Sequence, residues 1–348
     1  MRRYKDKFTV FSLILLILTV LMYLLFSIVS EMAEDVYGGV IYPFIRYAFD
    51  HTWGQSPVPF VYIVTIIMTA AFIFTGWSFK THGLKKGLIN LFNLLILLLA
   101  LFFWTWGFNY SRANIKTRLE IQIPEVKDEA LMSFFCELTE ELPELRKKRR
   151  SLTYSEMEQE VLNSADRFFK SHHLPTPGKP RIRALYPEGV LLGISTAGIY
   201  IPYAFEAHFD AGLHHLVWPY VMSHELSHAF GITDEGECNF LASLICSYSF
   251  SPLLRYSGGL QDLRSVYYAL VRSGHDPKHL SAQISEDIRS DIRNIREKHD
   301  SFPSYFPEFL RDWIYDNYLK SQGIKSGLSS YREDIGLLIA WRERTKEN

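Results

Sequence analysis

Between Phe8 and Val29 the chain reads "FTVFSLILLILTVLMYLLFSIV", a run without a single charged residue. As a helix it is long enough to cross about 30 Å of hydrocarbon. Few other structures are open to it, because in lipid every backbone N–H and C=O must be paired within the segment or a closed barrel. Two further apolar runs, Pro59 to Trp77 and Gly87 to Phe108, behave alike and end in aromatic residues that settle at a membrane interface. All three exceed the roughly 10–14 residues of a buried core helix. They predict a membrane domain over residues 1–108, with transmembrane helices at about 8–29, 59–77 and 87–108 and a loop over 30–58. The first run is not a cleaved leader: it is longer than the roughly 7–15 apolar residues such leaders carry, and no small-residue cleavage site follows.

Basic residues orient the spans. Arg2, Arg3, Lys5 and Lys7 precede the first, and Lys80, Lys85 and Lys86 separate the second from the third, which places both segments in the cytoplasm. The loop between the first two spans has Arg46 as its only lysine or arginine and belongs outside. An odd number of crossings then sends residues 109–348 to the extracytoplasmic side. The expected location is the cytoplasmic membrane, with the lipid bilayer as a partner.

A net charge of −1 with no basic patch excludes a nucleic-acid partner. Cys136, Cys238 and Cys246 are odd in number and lack Cys-x-x-Cys spacing, so they indicate neither a disulfide framework nor a thiolate zinc knuckle. Their reading is small apolar filler.

After Asn109 the patterning is mostly helical. Glu125 to Arg146 and Tyr154 to Ser171 repeat apolar residues at helical spacing, and "HLPTPGKP" breaks the pattern as a loop. "GVLLGISTAGIYIPYAFEAHFD", rich in β-branched and aromatic residues, predicts two or three strands. "GIYIPYAFEA" within it suits an edge strand that a peptide could extend, or a plain core strand. From Asp262 to Arg344 the helical pattern returns.

The chemistry lies in "LVWPYVMSHELSHAFGITDEGECN". Pro219 suits a first helical turn and Gly231 a stop, so His224 and His228 share one face of a helix. Two imidazoles one turn apart can grip one ion, and Glu225 projects beside them. This is the His-Glu-x-x-His pattern of zinc metallopeptidases. Zinc lowers the pKa of the water it holds to about 7, and the glutamate accepts that water's proton. The competing reading is a buried helix whose histidines are satisfied by hydrogen bonds. An intramembrane site is disfavoured because Glu206, His208, Asp210, His214 and His215 crowd the preceding segment.

Two templates compete for the third ligand. Asp234, six residues past His228, stands where one template places a third histidine. The other wants a glutamate opening the next helix, with an amide or carboxylate four residues on as support, and Glu235 with Asn239 has that spacing. Asp234 then caps the second helix. Glu237 is a next choice. Tyr256, His208 and His275 are candidates to stabilise a developing oxyanion.

"VYGGVIYPFIR", "WGFNY", "GIYIPYAFEA", "HELSHAFGI", "EGECNFLA", "YSGGL" and "YDNYLKSQGIKSGLSSY" together resemble the bacterial membrane family called domain of unknown function 3810, over nearly the whole chain. The resemblance implies three N-terminal spans carrying a helical zincin-like domain, and hence a membrane-bound peptidase. Cys238 stands where that family usually has alanine and Ala229 where it often has glutamine; neither position would touch zinc.

The expected architecture is an α-helical membrane anchor of three transmembrane helices plus a mainly α, α+β zincin-like metallopeptidase domain. The expected activity is hydrolysis of a peptide or protein substrate, with Zn2+ on His224, His228 and Glu235 and Glu225 as general base. The alternative is a non-catalytic sensor or scaffold that keeps the fold.

Overall fold

The first apolar run forms helix α1 (Lys7–Ile28), as expected of an uncharged segment with no glycine or proline in it. The computed structural model describes residues 7–122, 126–176, 178–307 and 327–347. Contacts divide the chain into two units, one of Met1–Ala113, Pro177–Arg181 and Ile201–Glu206, the other of Asn114–Thr176, Ile182–Tyr200 and Ala207–Asn348.

In the first unit, the segment after α1 folds as short α2 (Ser30–Met32), a π-helical stretch Ala33–Ile41 and α3 (Tyr42–Asp50). The remaining two apolar runs join as α4 (Phe60–Thr105), whose one non-helical residue is Gly83 at φ 81° and ψ 172°. Asn90 Nδ2 donates to Ser78 Oγ at 2.8 Å. In a straight helix twelve residues span about 18 Å, so the chain doubles back at Gly83. Glycine reaches that backbone geometry without strain. Among the described residues, α1 and α4 are the two helices long and apolar enough to cross a membrane.

Their polarity is inverted relative to a soluble core. Phe11, Ile14, Leu21, Ile66 and Ile73 face outward, while Ser12, Thr19, Thr75, Ser78 and Asn93 are buried. The buried groups bond across helices: Asn93 Nδ2 to Thr9 Oγ1 at 3.0 Å, and Trp104 Nε1 to Thr19 Oγ1 at 3.1 Å. Hydrogen bonds of this kind are the glue between helices in lipid. Arg46 is fully buried, donating to Asp50 Oδ1 at 2.5 Å and to the Phe205 carbonyl at 2.6 Å. Glu206 accepts from the Phe60 amide at 2.7 Å and so caps α4.

The second unit is helical around a small sheet. Its helices are α5 (Ile115–Arg118), α6 (Asp128–Lys148), α7 (Tyr154–Ser171), α8 (Trp218–Ala229), α9 (Glu235–Ser247), α10 (Pro252–Arg272), α11 (Pro277–Gln283), α12 (Glu286–Asp300) and α13 (Gly327–Glu347). Thr153 and Glu156 start α7 with reciprocal capping bonds. The strands β1 (Ile182–Leu185), β2 (Gly198–Ile201) and β3 (Glu206–Asp210) lie in the order β1-β3-β2. β1 runs parallel to β3, with Ile182 opposite Ala207 and Leu185 opposite Asp210.

The expected strand stretch holds two strands, β2 and β3, and "GVLLGI" before them is not one. The fully buried Asp210 carboxylate collects the amides of Gly189, Leu191, Leu192 and Gly212 at 2.7–3.0 Å, which leaves them no ladder to join. α6, α8 and α9 all pack against α10. α13 closes over α9, Trp341 lying against Phe240 and Phe168. Most of the motif "YDNYLKSQGIKSGLSSY" and the basic residues Arg2, Arg3 and Lys5 fall outside the described residues.

Candidate metal centre

Helix α8 has Pro219 in its first turn and stops two residues before Gly231, whose φ of 86° is open to glycine. His224 and His228 therefore stand one turn apart on one face, their ring centroids 5.1 Å from each other. Past Gly231 the chain turns into α9. Asp234 Oδ1 accepts from the Glu237 amide at 2.9 Å, the capping role expected of it.

The cap puts Glu235 in the first turn of α9, facing both histidines. Its Oε2 lies 3.1 Å from His224 Nε2, and its Oε1 lies 3.4 Å from His228 Nε2. The three ligating atoms all fall within 4.8 Å of one another. Four ligands at about 2.0–2.1 Å around a tetrahedral zinc stand roughly 3.3 Å apart, so the spacing suits such an ion. The donor set fits it too. His228 Nδ1 lies 2.9 Å from the Ile232 carbonyl, which only accepts, so that nitrogen carries the proton. Nε2 then faces the Glu235 carboxylate, a position that a metal ion or a second ring proton can fill; although burial opposes the charge, Cys238 and Glu235 hold the ring well above the usual imidazole range.

Burial opposes charge on Glu235, but its contacts with the two imidazoles outweigh this and hold its carboxyl well below the usual range. Glu225 is buried beside them, and burial pushes its carboxyl up to about 7. The backbone amide of Tyr200 donates to it. Gly198 of the same strand passes so close that a methyl there would lie 2.5 Å from Glu225 Oε1. Neither residue stands out in the sequence, where only the glycine within a strand pattern hints at a close approach.

The other candidates are placed elsewhere. Glu237 accepts from the amides of Ile115 at 2.9 Å and Lys116 at 3.2 Å, capping α5. Asn239 accepts from the Tyr220 hydroxyl at 3.2 Å. The Tyr256 hydroxyl donates to Asp291 at 2.7 Å, and His275 lies 3.5 Å from Asp128. His208 is buried in β3, where burial lowers its pKa to about 3 and keeps the ring neutral. None of these joins the three-residue cluster. Cys238 and Cys246 are buried free thiols, and burial pushes both up to about 12, consistent with filler. Cys238 Sγ nevertheless lies 3.3 Å from His228 Nδ1, so it touches a candidate ligand from behind.

A family model described as protein of unknown function (DUF3810) matches residues 37–339. The chain belongs to that family. The DUF3810 match takes in His224, Glu225, His228 and Glu235 and most of both units. No curated protein and no solved structure matches the chain.

Proposed function

We propose that this chain is a membrane-anchored, zinc-dependent peptidase. The observation that carries the reading is the convergence of His224, His228 and Glu235 within 4.8 Å beside the buried carboxyl of Glu225. His224, His228 and Glu235 would hold the ion, leaving a fourth position open as catalytic sites require. When bound, zinc supplies Lewis-acid activation of water and of a substrate carbonyl. Glu225 accepts the proton of the attacking water at its carboxylate and passes it toward the leaving amine. β2, an edge of the sheet, offers an extended peptide a strand to pair with. The test is cleavage of a fluorescence-quenched peptide pool by the full chain in detergent. Turnover that stops with a chelator and returns with zinc supports the peptidase; a zinc-loaded chain that cuts none of the pool favours the scaffold.

The anchor in this proposal has three crossings, α1 and the two arms of α4, with the zincin-like domain outside the cytoplasmic membrane. The reversal at Gly83 and the outward apolar faces support it. Lys80, Lys85 and Lys86 flank that reversal and favour its cytoplasmic placement. Alkaline phosphatase fused after Asn348 is expected to be active; activity only from a cytoplasmic reporter at that position would reverse the orientation.

A further inference from the structure

We propose that strand β2 positions the general base: Gly198 and the backbone amide of Tyr200 fix where the Glu225 carboxylate sits. The inference rests on the peptidase reading and goes beyond its ligand set, because neither residue is one of the three clustered side chains.

A steric contact carries it, and a polar one supports it. The first is steric. A Cβ at residue 198 would lie 2.5 Å from Glu225 Oε1, 2.7 Å from Cγ and 2.8 Å from Cδ. Cγ, one bond from the helix-fixed Cβ, is among them, so room for an added methyl requires the whole Glu225 side chain, carboxylate included, to shift away from the strand. Gly198 is thus the residue that lets β2 lie flush against the acid. The second contact is polar. The Tyr200 backbone N–H faces the Glu225 carboxylate and favours its charged form. The strand itself is pinned nearby: the Thr196 hydroxyl donates to the Gly198 carbonyl at 2.9 Å, and the Asp210 amide donates to the Ala197 carbonyl at 2.9 Å. A glutamate has three side-chain torsions. The floor at Gly198 and the donor at Tyr200 remove much of that freedom before any substrate arrives, the pre-organisation that proton transfer at a fixed atom requires.

Gly198 and Tyr200 are therefore positioning residues that act through Glu225. The experiment compares the zinc-loaded full chain with Gly198→Ala and with a chain carrying the hydroxy-acid analogue of tyrosine at residue 200, which keeps the side chain and removes the N–H. Zinc content, melting temperature, kcat and KM on the peptide pool, and acetohydroxamate affinity are measured for each. Both altered chains are expected to hold one zinc, with KM within about two-fold and kcat lower by about 10- to 100-fold, the usual scale for a small misplacement. Parental kcat in both overturns the proposal. If Gly198→Ala fails to fold or loses zinc, the ester chain decides, and full turnover there overturns it. If the parent holds zinc but cuts no peptide, the peptidase reading fails separately. Acetohydroxamate, which binds the zinc and hydrogen-bonds the carboxylate, then decides: about ten-fold weaker binding in Gly198→Ala sustains the positioning, and equal binding refutes it. A parent that holds no zinc removes both.

Discussion

Replacing Glu225 by glutamine is expected to abolish peptide hydrolysis while leaving zinc in place. Glutamine keeps the length and shape of the side chain, so the space beside Gly198 stays filled and the Tyr200 amide keeps an oxygen to donate to. It cannot take up a proton. General-base catalysis contributes about 100- to 10,000-fold, and the loss in kcat should fall in that range or beyond it. His224, His228 and Glu235 are untouched, so zinc content should match the parent. The check is kcat on the peptide pool together with zinc per chain. Unchanged turnover would remove Glu225 from the mechanism. A fall in kcat that merely tracks loss of zinc would make Glu225 a structural support instead.

The clustering of His224, His228 and Glu235 was largely legible in the sequence because its geometry is local. Four-residue spacing on a helix places His224 above His228 whatever surrounds them. Gly231 ends the helix and Asp234 starts the next, so Glu235 is delivered within a few residues of the histidines. Contacts set by distant pairing were not legible. Gly198 meets Glu225 only because β2 lies in the sheet beside β3, and nothing near Gly198 in the chain announces it. β1 escaped notice because four residues with a buried Arg183 lack the alternation of a half-buried strand. The stretch after Gly189 looks like a strand by composition, yet Asp210 captures its amides from twenty residues away. In the first unit the apolar runs were plain. The helical fold of residues 30–50 was not, since it depends on buried partners such as Arg46 with Asp50, which no periodicity reveals.

The third ligand separates the two templates, and its removal carries the other large expected effect. Glu235→Gln replaces a charged candidate ligand that faces both imidazoles at 3.1 and 3.4 Å, and on the proposed assignment zinc affinity should fall by at least about 100-fold, beyond what outer-shell changes cost. Asp234→Asn should cost little, because asparagine caps a helix as well as aspartate does. Glu237→Gln weakens the bonds to Ile115 and Lys116, so it should lower stability more than metal affinity. The most direct measurement is zinc per chain for the parent and these three variants under equal competition with a chelator. One zinc in the parent, with by far the greatest loss in Glu235→Gln, is the predicted result; the greatest loss in Asp234→Asn, or a parent that holds no zinc, would contradict it.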